Sequence, residues 1–201
     1  MGRARDISKV FSTSTALATD TEVSTTYQTK TGAGMVLLNT TSFTTAVSVS
    51  FSNLFSASYT NYRIVMSCTG DSSTGRDAYL RYRNDTTDYT ANEYNAHNYY
   101  RTSGTGSNQV TGVMTSAYIG HFGDLASGIV VDIHNPFGST RKVFNALSDG
   151  WSNSGNRADW CGGFLNTTTS FNGCTIYPNA GSITGSASVY GYNKWSGIKE
   201  I

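Results

Sequence analysis

The sequence predicts an all-β protein, a jelly-roll-like β-sandwich with an extended N-terminal arm, and three observations predict it. Only 13% of the 201 residues are charged, about half the usual share, and helix surfaces are normally built from Lys, Glu and Arg. Serine and threonine together supply 54 residues, and 13 Tyr and nine Phe carry most of the large apolar area. Apolar and polar residues then alternate with period two in at least six segments, as strands with one wet face require.

Taken in order, residues 1–32 stand apart as an arm, and residues 33–201 form the sandwich domain. Segment 12–31 (STSTALATDTEVSTTYQTKT) is polar and lacks period-two alternation. Thr19 to Glu22 fits a capping box, and Leu17, Val23 and Tyr27 would share one side of a short helix. So weak a stripe does not fold alone, so the arm is expected to order against something else.

Strands follow from Ala33. Phe43, Val47, Val49 and Phe51 share one parity, and Tyr62, Ile64, Met66 and Cys68 share another face opposite Arg63. Ala78, Leu80 and Tyr82 oppose Tyr79, Arg81 and Arg83. Ile129, Val131 and Ile133 alternate with Val130 and Asp132, the pattern of a strand covered on both faces. Val143, Asn145 and Leu147 come next, then Trp160 to Phe164, Cys174 and Ile176, and last Ile183, Ala187 and Val189. Turn clusters at 69–75, 135–138 and 178–181 separate them. Two stretches read as long loops, 84–109 with its tyrosines and 148–157 around Trp151. Loops of that length in a compact domain are usually functional or interface-forming.

Charge and composition exclude several roles. A net charge of +1 leaves no electrostatic footprint for nucleic acid or an anionic membrane, and no apolar run approaches a membrane span. The N-terminus has basic residues but no apolar core of a secretory signal. Cys68, Cys161 and Cys174 lack metal-ligand spacing and are expected to be reduced core thiols.

Catalytic signatures are missing from the sequence. There is no G-x-S-x-G elbow, and Gly150 to Gly155 has P-loop spacing but Asn156 in place of the phosphate-binding Lys. Asp132 and His134 share a strand face and, with His97 and His121, could make a metal site or a Ser-His-Asp relay, but they are better read as strand-end hydrogen bonding. The chain is therefore expected to be no enzyme and to need neither cofactor nor metal. The tyrosines and Trp151 are a better signal, interleaved as they are with Asn92, Asn95, Asn98 and Asp149. Aromatic faces stack on sugar CH surfaces or pack between subunits, while amides and carboxylates bond hydroxyls. Tyr94, Tyr99, Tyr100 and Trp151 are the candidate glycan or subunit contacts.

Three stretches, ISKVFSTSTALATDTEVSTTY (7–27), SVSFSNLFSASYTNYRIVMS (48–67) and LNTTTSFNGCTIYPNAGSITGSASVYGY (165–192), resemble a module of tailed-bacteriophage virion proteins, cyanophages included. In that module a Ser/Thr-Ala connector precedes a β-sandwich that ends in a strand like Gly181 to Gly191. The resemblance implies a virion structural protein assembled in the host cytoplasm, with trimeric symmetry. The short connector favours a capsid decoration or cement protein bound to the major capsid protein. The alternative is a short tail fibre or receptor-binding knob attached to tail proteins and recognising a host glycan. In either case Arg3, Arg5 and Lys9 would grip an acidic partner, and Ile7, Val10 and Phe11 would anchor the arm.

Overall fold

The computed structural model describes residues 34–193 except 103 and 104, with side chains at 105, 108–112 and 193 also left aside. The anchoring candidates Arg3, Arg5, Ile7, Lys9, Val10 and Phe11 lie outside the described residues. One compact unit spans Met35–Asn193. Thirteen strands build it: β1 Met35–Ala46, β2 Val49–Phe51, β3 Tyr59–Gly70, β4 Arg76–Asn84, β5 Thr87–Asp88, β6 Tyr94–Thr102, β7 Thr105–Met114, β8 Ala117–Phe122, β9 Ala126–His134, β10 Lys142–Ser152, β11 Gly155–Leu165, β12 Gly173–Pro178 and β13 Ile183–Asn193. They form a β-sandwich, as the alternation predicts.

An eight-stranded antiparallel sheet runs in the order β1-β13-β3-β9-β10-β11-β6-β7, and a second sheet runs β2-β12-β4-β5, with β8 also paired to β4. Side chains of alternate parity meet between them. Tyr62, Ile64 and Met66 of β3, Ile129, Val131 and Ile133 of β9, and Val189 of β13 face Leu80 and Tyr82 of β4 and Ile176 of β12 across one continuous core. Burial of these side chains at about 1.5–3 kcal/mol each is the main stabilising term. All three cysteines are buried and unpaired. Cys161 sits on β11 and Cys174 on β12, strands of different sheets.

Both expected long loops are strands instead. Residues 84–109 contain β5, β6 and the start of β7, and 148–157 is the tip of the β10–β11 hairpin, closed at Asn153 and Ser154. Polarity misled the sequence reading because β6 is wet on one face and carries Asn98 on its buried one.

Candidate functional site

Strand β10 carries apolar residues on both of its faces. Lys142, Phe144, Ala146, Ser148, Gly150 and Ser152 face inward, while Val143, Asn145, Leu147, Asp149 and Trp151 face solvent. Val143 and Leu147 are 45% and 53% exposed. Strand β8 packs across β10 and β11. Gly120 of β8 adopts φ +136, and a Cβ there would lie 2.1 Å from Ser148 Oγ. At that approach only a small residue fits at position 148, while further along the strand Phe144 and Lys142 point inward and are fully buried.

The neighbouring strands extend this pattern into a row. Val65 of β3 pairs with Val130 of β9, Val130 with Leu147 of β10, Leu147 with Trp160 of β11, and Trp160 with Tyr99 of β6. Five strands thus bring large apolar side chains side by side on the outer face of the large sheet. Trp160 and Tyr99 rings lie 5.6 Å apart.

Two hollows open on the same face. The first, about 600 Å³, is lined by Trp151, Leu125, Gly128, Asp149, Ser67 and Thr184. A Cβ at Gly128 would meet nothing within 4 Å. The second, about 420 Å³, lies over the backbone at Ala146 and Cys161, among Leu147, Val130, Trp160, Asn145 and the Arg63–Asp132 pair.

Polar groups at the second hollow are held in place. Arg63 donates from Nε and Nη2 to the two oxygens of Asp132 at 2.7 and 2.6 Å, and Tyr192 donates to Oδ1 at 3.2 Å. The Arg63 hydrogen bonds hold the Asp132 carboxyl below the usual carboxylate range. Asn145 Nδ2 is 3.3 Å from His134 Nε2. Asp132 is thus hydrogen-bonded to Arg63, and His134 lies beside Asn145, the strand-end hydrogen bonding the sequence suggests. His97 is exposed on β6, and His121 is buried on β8 beside Asp77 at 3.8 Å. Among the described residues no group of three or more His, Cys, Asp or Glu could hold a metal ion.

The expected contact residues separate. Trp151 is 63% exposed and Tyr99 is 42% exposed, both on the outer face. Tyr94 is a correction: it is fully buried, its ring stacked against Tyr82, its hydroxyl donating to Tyr89 O and accepting from Tyr82 N. It can touch neither glycan nor subunit. Tyr100 points to the inner side, where the Arg157 guanidinium sits 4.3 Å from its ring centre. There Arg157 and the Tyr118 hydroxyl both bond the fully buried Asp159 carboxylate, at 2.9 Å each. This network joins β8 to β11 and is structural. Trp160, Leu147 and Val130 are the residues that sequence reasoning missed as surface groups. Each is an apolar residue on the outward parity of its own strand, β11, β10 and β9, and a local pattern with apolar residues on both parities does not say which one faces out.

The face thus carries exposed aromatic rings beside hydrogen-bonded polar side chains. No family model matches the chain, and no curated protein matches its sequence.

Proposed function

We propose that this chain is a non-enzymatic structural protein of a tailed-phage particle, a capsid cement or decoration protein held to the major capsid protein through residues 1–32. The observation that carries this reading is the pairing of Met35 with Tyr192. It brings the chain's entry at Gly34 and its exit after Asn193 to one corner of the large sheet. Met35, Val36 and Leu37 are exposed at that corner, 47%, 37% and 55%, on an edge strand whose outer side needs covering. Attachment there, with copies closing as a trimer about the β1 edge, leaves the outer sheet face on display.

A second reading, a short tail fibre or receptor-binding knob, is favoured by the tryptophans of that displayed face. Deletion of residues 1–32 tests the attachment common to both. The shortened chain should keep its β-sheet circular dichroism and fail to join particles made without the full-length protein. Normal incorporation overturns the proposal.

A further inference from the structure

We infer that the outer face of the eight-stranded sheet binds a neutral oligosaccharide, laid along β9 and β10 with one ring on Trp151 and another on Trp160. The inference stands apart from where on a particle the protein sits. Leu147, the partner of Trp160, is four residues from Trp151 on β10, which sets the two indoles about 13 Å apart along the strands. Each borders a hollow, and the linings follow one another along the strands, Gly128 and Asp149 at the first and Val130 and Leu147 at the second. Gly128 leaves the floor of the first hollow open, and Asn145 Oδ1 lies 3.3 Å from where a Gly162 Cβ would stand beside the second.

The polar groups match adjacent hydroxyls better than they match a protein. Asn145 is oriented by His134, Arg63 and Asp132 hold each other, and Asp149 is exposed at the first hollow. Planar amide, carboxylate and guanidinium groups beside an aromatic platform are what a sugar requires, CH face on the ring and hydroxyls at its rim. Charge selects the neutral class. Arg63 and Asp132 cancel, and Asp149 is balanced by the exposed Arg101 of the same row, so the face carries no net charge to draw an acidic polymer.

Area argues against a second copy of the chain. A stable protein interface takes about 800 Å² and about 20–30 residues per partner. Here the apolar surface is one row of five side chains, with Val143 and Phe164 beyond the polar row on one side and Trp151 beyond the polar row on the other. The next row on one side is Arg63, Asp132, Asn145, Gly162 and His97, and on the other Ser67, Gly128, Asp149, Ala158 and Arg101. A slim chain of sugar rings fits that width.

The test is nuclear magnetic resonance of the tryptophan indoles in the full-length protein, titrated with maltohexaose, cellohexaose, chitohexaose and mannohexaose, with a hyaluronan hexamer as acidic control. Saturable shifts of the Trp151 and Trp160 signals are expected with at least one neutral hexamer and none with hyaluronan. Trp151→Ala or Trp160→Ala should each weaken binding tenfold or more. Gly128→Val should do the same without lowering the melting temperature, since nothing opposes its side chain in the folded protein. Three results overturn the inference: no saturable shift with any neutral hexamer, binding that survives all three substitutions, or a preference for hyaluronan. Indole signals that move with protein concentration, with sedimentation as a dimer that Trp160→Ala dissolves, overturn it in favour of a second copy.

Discussion

Tyr99 and Trp160 stand directly opposite each other on β6 and β11, their rings 5.6 Å apart and tilted by 38°. Both are more than 40% exposed, so the contact lies on the water side of the sheet. A cross-strand aromatic pair in that setting stabilises by about 0.5–1 kcal/mol. A double-mutant cycle of Tyr99→Ala and Trp160→Ala in urea should return a coupling of about that size. Coupling near zero would mean the rings do not meet in solution.

Arg157 is the more costly residue to change. It neutralises Asp159, which has no exposure, and stacks on Tyr100. Burial alone pulls its guanidinium down, but Tyr118, Asp159 and Asp77 outweigh that and keep it above its ordinary value. Arg157→Met strands a buried carboxylate, so urea denaturation should show a loss of about 3–5 kcal/mol. A change under 1 kcal/mol would show that Asp159 reaches water.

Acid should weaken the Arg63–Asp132 pair with a definite sign. The folded carboxyl titrates lower than the unfolded one, so on acidification the unfolded chain takes up its proton first. The pair's contribution is complete above the unfolded value, about pH 4, and disappears as pH falls through the folded value. Arg63 is about one-third exposed, at 35%, so solvent screening limits the contribution to about 1 kcal/mol. Arg63→Met should remove that amount at pH 7 and flatten the acid limb of the stability curve. An unchanged acid limb would assign it to other carboxylates.

The thiols should be silent in the folded protein. Burial pushes the Cys68 thiol up to about 12 and raises Cys161 and Cys174 as well. A disulfide exchange reagent at pH 8 should label no cysteine at once in the native state and all three after unfolding. Prompt native labelling at Cys174, which has no exposure, would contradict the sandwich packing.

Much of the sandwich was readable from alternation where one parity is plainly apolar. Tyr62, Ile64, Met66 and Cys68 of β3, Ala78, Leu80 and Tyr82 of β4, and Ile183, Ala187 and Val189 of β13 all face the core as the pattern predicts. Strand β10 carries apolar residues on both parities, Phe144 and Ala146 inside and Val143, Leu147 and Trp151 outside, and the approach of Gly120 keeps position 148 small. That approach comes from β8, which ends 20 residues before β10 begins, and no local window contains it. The candidate site suffered the same loss. Trp151 and Tyr99 were visible as aromatics among polar residues, whereas Trp160 and Leu147 looked like core and Tyr94 looked like surface. Adjacent tyrosines 99 and 100 fall on opposite faces simply because the segment is a strand and not a loop.

Quantitative mass spectrometry of purified particles produced by the genome that encodes this chain weighs the structural-protein proposal. The expected result is hundreds of copies per particle, as a capsid cement or decoration protein requires. A few tens of copies or fewer would move the protein to the tail. Its absence from the particles would contradict the account.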